Sequence, residues 1–215
     1  MVVHAAEQLK IQRGTPARVE AFLRLLEEAG VLGMPYIYGV EIGVWRGGFS
    51  RWMLRNLKGL HLMMVDLWAP PPEDSPAWLA DEPGARGTAE GHERHRQVAL
   101  RNTDFAPNRR TVLQKESTLA AAGVADGTLD FVFIDGSHLY GAVLADLEAW
   151  APKVRPGGVV GGHDWDHPLT CTGAEHFKVR EAVEEYLDKA YGPPTETIRP
   201  QVRTGADTVW AFVKE

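Results

Sequence analysis

A chain of 215 residues has room for one α/β domain with a substantial core, and its net charge of −6 disfavours nucleic-acid phosphate as the main partner. Hydrophobic residues make up 44%, as in an ordinary soluble globular protein, and a single cysteine, Cys171, excludes an internal disulfide framework. No apolar run is long enough to span a membrane, and His4, Glu7 and Lys10 interrupt the N-terminus too early for a signal peptide, so a cytoplasmic protein is expected.

Thr15 to Ala29 reads as an amphipathic helix. Thr15 is placed to cap it, Pro16 to occupy its first position and Gly30 to stop it, with Val19, Phe22, Leu23 and Leu26 as the apolar face. Together with the residues before it, this helix is expected to cover the sheet or a pocket as an N-terminal segment, residues 1–30. Tyr38 to Ser50 then reads as a buried strand, a glycine turn and a helix start. Val40 and Ile42 suit the strand, and Gly43 and Gly47 allow a tight turn with close approach of a ligand. Apolar residues from Phe49 to Leu57 recur at helical spacing. The apolar run that starts at Leu62 ends in Asp66, a carboxylate placed to hold ribose hydroxyls. This is the first half of a nucleotide-type βαβ unit. A dinucleotide fingerprint requires G-x-G-x-x-G, and here Glu41 stands at the first glycine. A carboxylate there would repel pyrophosphate and suits a ligand carrying an ammonium or sulfonium group.

Leu67 to Gly91 contains Pro70-Pro71-Pro72, Pro76, Pro83 and several glycines, which no regular element can run through. Its length, with Trp68 and Trp78 and several acids, predicts a partly mobile lid rather than a passive insertion. Glu90 to Asn102 reads as a polar helix. His92 and His95 share a face of it, at a spacing that does not match H-E-x-x-H, so an exposed face is expected rather than a metal site. Thr111 to Lys115 is a third strand, followed by Ser117, which either caps the next short helix or meets a ligand.

Leu129 to Tyr140 is an apolar strand ending at Asp135, a turn at Gly136, and a helix start; Tyr140, Val143, Leu144, Leu147 and Trp150 continue at helical spacing. Pro156-Gly157-Gly158 breaks the chain, and Val159 to Gly162 is a short strand leading to His163-Asp164-Trp165. Ligands of open α/β sheets sit beyond the carboxyl ends of the strands, where Asp135, His163 and Asp164 all lie. An irregular stretch from Asp166 to Lys178, a helix from Val179 to Ala190, and a closing hairpin of Thr195–Pro200 with Asp207–Val213 complete the chain.

The pattern Glu41-x-Gly43-x-x-x-Gly47 resembles motif I of class I S-adenosylmethionine (SAM) methyltransferases. The later segment I-D-G-S-H-x-Y, then D-L, P-G-G and H-D-W, resembles a bacterial family of these enzymes. That family is related to cation-dependent O-methyltransferases of the catechol and macrolide-sugar type. The resemblance spans roughly Tyr38 to Trp165. It implies a single Rossmann-like domain over residues 1–215. Such a domain has a seven-stranded, mostly parallel sheet with an antiparallel seventh strand inserted between the fifth and sixth, and helices on both faces. It implies SAM as cofactor, with Glu41 near its methionine end, Gly43 and Gly47 in the turn that approaches it, Asp66 on the ribose and Ser117 near the adenine. It further implies a divalent metal at Asp135, His163 and Asp164, although histidine stands at His163 where those relatives carry aspartate. Such a mixed ligand set suits Mn²⁺, Fe²⁺ or Zn²⁺ better than Mg²⁺. His138 occupies the position of a lysine base, and a histidine, with an ordinary pKa of about 6.5, can take a hydroxyl proton near neutral pH. The expected reaction is methyl transfer to the hydroxyl of a small molecule. A nicotinamide-dependent oxidoreductase and a non-catalytic SAM-binding module are the rival readings; Glu41 opposes the first, and retention of Asp135, His138 and Asp164 opposes the second.

Overall fold

The structure, a computed structural model, describes residues 11–75, 87–166, 178–194 and 199–215. Strands β1 (Ile37–Ile42), β2 (Leu60–Asp66), β3 (Arg110–Gln114), β4 (Leu129–Ile134), β5 (Val154–Gly162), β6 (Arg203–Thr204) and β7 (Trp210–Val213) form one sheet in the order β3-β2-β1-β4-β5-β7-β6. β1 to β5 run parallel, and β7 lies antiparallel between β5 and β6. This is the Rossmann-like class I methyltransferase arrangement that the resemblance implies.

Helices cover both faces because parallel strands need a crossover on one side or the other. On one face α1 (Ala17–Glu28), α2 (Gly48–Asn56) and α3 (Ala89–Asn102) enclose a core in which Phe22 packs on Phe49, Phe131 and Phe133. Phe49 and Phe133 stack with ring centroids 3.9 Å apart. On the other face α4 (Ser117–Ala121), α5 (Tyr140–Trp150) and α6 (Val179–Tyr191) bury Val132, Val160, Leu147, Trp150, Val183 and Trp210. Among the described residues no helix is long and apolar enough to cross a membrane.

The register does the positioning. Ile42 lies beside Val65 and Ile134, and Ile134 beside Gly162, so four parallel strands end level. The next residues, Gly43, Asp66, Asp135 and His163, therefore stand in one row along the carboxyl edge of the sheet.

Several local expectations are corrected. Thr15 does not cap α1: its hydroxyl donates to the Gln12 carbonyl and accepts from Asn56 Nδ2, and Pro16 stands at the cap position. Glu116, not Ser117, caps α4 by accepting from the Thr118 amide. Pro156-Gly157-Gly158 does not end a segment. β5 runs through it, and a register shift takes the pairing from Leu129–Val154 to Phe131–Val159, with Gly157 at φ +74°. The first member of the closing hairpin is Arg203–Thr204, later than expected, because it pairs with Ala211 and Trp210 of β7. α3 begins at Ala89, behind a Thr88 cap, so the proposed lid is shorter at that end. Residues 76–86 of that stretch, most of the 166–178 stretch and residues 195–198 lie outside the described residues.

Candidate active site

The first half of the site is a cradle at the ends of β1 and β2. After β1 the chain turns at Gly43, with φ +83°, and a Cβ there would sit 2.1 Å from the Asp135 carbonyl oxygen. No other residue allows that contact between the turn and the end of β4. Asp66 closes the cradle: its Oδ2 accepts from the Trp45 amide and its Oδ1 from the Trp68 amide, both at 2.7 Å. The Trp68 indole in turn donates to the Trp45 carbonyl at 2.8 Å. Trp45 and Trp68 both hold left-handed backbone, at φ 50° and 43°, a strain that the surrounding hydrogen bonds must offset. Burial pushes the Asp66 carboxyl up, and the hydrogen bonds from backbone amides oppose that shift.

Glu41 lies beneath this turn rather than on its surface. It is 1% exposed, accepts a hydrogen bond from the Ser50 hydroxyl of α2, and burial pushes its carboxyl well above the usual range. Ser117 is engaged on the far side of the sheet. Its Oγ accepts from Trp150 Nε1 at 2.8 Å and hydrogen-bonds the buried Asp146, whose carboxyl is pushed by burial up to about 6. His95 accepts from the Trp45 indole at 2.9 Å, which ties α3 to the cradle; burial lowers its pKa.

The second half lies beyond β4 and β5. Asp164 Oδ2 is 2.8 Å from His138 Nε2 and 2.9 Å from His163 Nδ1, so two imidazoles converge on one oxygen. Burial alone would raise the Asp164 carboxyl, but the hydrogen bonds from His138 and His163 outweigh it and hold it below the usual carboxylate range. Asp164 has φ 62°, and Asp207 and Thr208 of the β6–β7 turn, which meet His163 and Trp165, are also left-handed. The turn is bound to the site: the Thr208 carbonyl accepts from the Trp165 amide, and the Trp210 indole donates to the His163 carbonyl, each at 3.0 Å. Burial would lower His163; its hydrogen bond to Asp164 and the Asp135 charge reverse that and raise it.

Asp135 is 3.8 Å from His163 through Oδ1 and 2.8 Å from Arg18 Nη1 through Oδ2. Burial pushes its carboxyl up to about 6, against the opposing charge of Arg18. Among the described residues, the one group of metal-ligating side chains whose ligand atoms lie within 4.8 Å of one another is Asp135, His138 and Asp164. His163, the imidazole expected in that set, stands beside it. His92 and His95 belong to no such group.

Arg18, Ser50, Trp45, Trp68 and Asp207 were not among the residues singled out for the site. Trp45 sits inside motif I and Trp68 lies two residues past Asp66, so closeness in the chain is a signal for both. Arg18 is 117 positions from its partner, on a helix that reads as plain packing, and left none.

Residues 40–165, more than half of the chain, match the family described as a methyltransferase domain. The chain belongs to that family. The methyltransferase also shares its fold with solved structures. A protein from Staphylococcus aureus assigned as a caffeoyl-CoA O-methyltransferase is similar with a TM-score of 0.62 at 15% identity, over 92% of this chain and 82% of that one. CalS11, a calicheamicin methyltransferase, is similar with a TM-score of 0.57 at 15% identity, over 89% of this chain and 77% of that one. A further relative is y4gI, an uncharacterized protein of Sinorhizobium fredii, 36% identical over 74 residues. That match spans 34% of this methyltransferase and 8% of the length of y4gI. The chain thus carries a methyltransferase domain, and Gly43, Asp66, Asp135 and His163 stand in one row at the carboxyl edge of its sheet.

Proposed function

We propose that this methyltransferase, acting as a single domain, methylates a hydroxyl group of a small molecule, with the acceptor oxygen held beside Asp135, His138 and Asp164. The observation that carries the reading is the convergence of two carboxylates and two imidazoles beyond β4 and β5, next to the cofactor turn. Methyl transfer to oxygen needs a place for the hydroxyl proton and an in-line approach to the sulfonium methyl; the rest is positioning. Asp66 would hold the ribose, with a second lone pair on each oxygen left by the two amides. Glu41, lying under the turn, would act on the methionine end through the shape of Gly43 to Gly47. The Ser117 hydroxyl is already used by Trp150 and Asp146, so adenine contacts in that loop would fall to main-chain groups.

His138 is the base. Asp164 holds its Nε2, which sets the ring orientation and the tautomer with the lone pair on Nδ1. A divalent cation is the second element, and the donor set fits one: Asp135, His138 and Asp164 offer oxygen and nitrogen ligands within 4.8 Å, which suits Mn²⁺, Fe²⁺ or Zn²⁺ over Mg²⁺. When bound, the cation supplies Lewis acidity that lowers the pKa of the acceptor hydroxyl. His138 as ligand and His138 as base are distinct uses of one side chain, and chelation separates them. Transfer of labelled methyl from SAM to a panel of hydroxylated acceptors, with and without chelator, is the test. The cation-assisted form predicts loss of turnover with unchanged S-adenosylhomocysteine (SAH) affinity. Full turnover in chelator leaves His138 and Asp164 as a metal-free pair. Transfer only to amine or thiol acceptors refutes O-methylation. The site is expected to take small molecules rather than nucleic acid or membrane, and to work in the cytoplasm.

A further inference from the structure

We infer that Arg18 and a divalent cation are alternative partners of Asp135, so that the N-terminal helix sets the cation affinity of the acceptor site. The inference rests on the cation-assisted reading above. Each carboxylate of the cluster already has a positive or donating partner: Asp164 faces two imidazoles, and Asp135 faces the Arg18 guanidinium at 2.8 Å. A cation taking Asp135 as ligand would place a second positive charge on a carboxylate that is only 14% exposed. Two cations on one largely buried carboxylate repel each other. The two therefore compete for Asp135, each weakening the other's hold.

The geometry says which one can leave, and how. α1 itself is fixed. Val19, Phe22, Leu23 and Leu26 are buried in the core, and the segment before it is pinned to α2 through Gln12 and Thr15, which both hydrogen-bond Asn56. The Arg18 side chain, by contrast, is 33% exposed and holds Asp135 through a single nitrogen, Nη1. A bidentate pair would resist displacement; a one-nitrogen contact at the rim, with solvent behind it, does not. Arg18 therefore swings out while the helix stays, and the protein without cation keeps Asp135 compensated. The same contact lets the metal-free and metal-loaded forms share one backbone.

The test is titration of the full-length protein with Mn²⁺ by calorimetry, on wild type, Arg18→Gln, Arg18→Lys and Arg18→Gln/Asp135→Asn. SAH binding is measured on the same samples. Arg18→Gln is expected to tighten Mn²⁺ binding by about tenfold or more, Arg18→Lys to stay near wild type, and the double variant to lose the gain. Mn²⁺ should also raise the melting temperature of Arg18→Gln more than that of wild type, which reads the same competition without a calorimetric signal. Equal or weaker Mn²⁺ binding by Arg18→Gln, with SAH binding intact, overturns the inference and leaves the cation site standing. No Mn²⁺ binding by any variant, with SAH binding intact, overturns both the inference and the cation-assisted reading.

Discussion

In the half of the site proposed for the cofactor, Gly43, Trp45, Asp66 and Trp68 come from two neighbouring strand ends, and each hydrogen bond joining Trp45, Asp66 and Trp68 pairs a side-chain group with a main-chain group. In the acceptor half, Arg18, Asp135, His138, His163 and Asp164 come from α1 and from the ends of β4 and β5, and they meet through side chains. The difference is instructive. A cradle in which side chains lock main-chain amides and carbonyls depends on backbone shape together with Asp66 and Trp68. A side-chain cluster keeps its geometry only while each member is present, and its chemistry changes with each substitution. On the function proposed above, the cofactor half is the constant part of the machine and the acceptor half is where the reaction is chosen.

The sharpest way to break that comparison is to damage one half and look for a response in the other. His138→Ala should lower turnover by about 10²–10⁴-fold while SAH affinity stays unchanged in calorimetry, because His138, the proposed base, pairs with Asp164 in the acceptor half. A parallel loss of SAH binding would show the halves to be one unit. Asp66→Ala should do the reverse. It removes charge-assisted ribose contacts of about 1.5–3 kcal/mol each and should weaken SAH accordingly, with the rate at saturating SAM changed less.

The smallest effect is expected at the seam. Asp146 of α5 hydrogen-bonds Ser117 of α4, joining the helix after β3 to the helix after β4. Its carboxyl is raised from 3.8 to about 6 by burial, so the folded state binds this proton more tightly than the unfolded chain does. That contribution to stability is full below the unfolded value and is lost as pH rises through about 6. Asp146→Asn keeps a neutral hydrogen-bonding group and should remove this slope, gaining about 1–2 kcal/mol over wild type at pH 8 and little at pH 4. Urea unfolding at the two pH values measures it. A slope unchanged by the substitution would place the titrating group elsewhere, with Asp135 the next candidate because its shift has the same direction.

What the sequence alone determined is the glycine turn after β1, the acid at the end of β2 and, through the family resemblance, the mostly parallel seven-stranded sheet. Val40, Ile42, Gly43, Gly47 and Asp66 are close in the chain, and each signal is local: alternation in a strand, a glycine turn, an acid at the next strand end. The second apolar run to Asp135 and the G-G-H-D-W turn were legible for the same reason. What only the tertiary structure decided is how the side chains at those ends pair. The level register of β1, β2, β4 and β5 sets Asp135 beside His163, and a left-handed Asp164 turns one oxygen toward both histidines. Glu41 shows the limit of the local reading. Its position in motif I was readable, but strand alternation sends its side chain under the turn to Ser50, and nothing local to the motif reported that burial. Arg18 shows it further. A helix reads from its own apolar spacing, whereas the partner of a polar residue on that helix depends on which strand end the packing brings beneath it. For Arg18 that end is Asp135, 117 positions away.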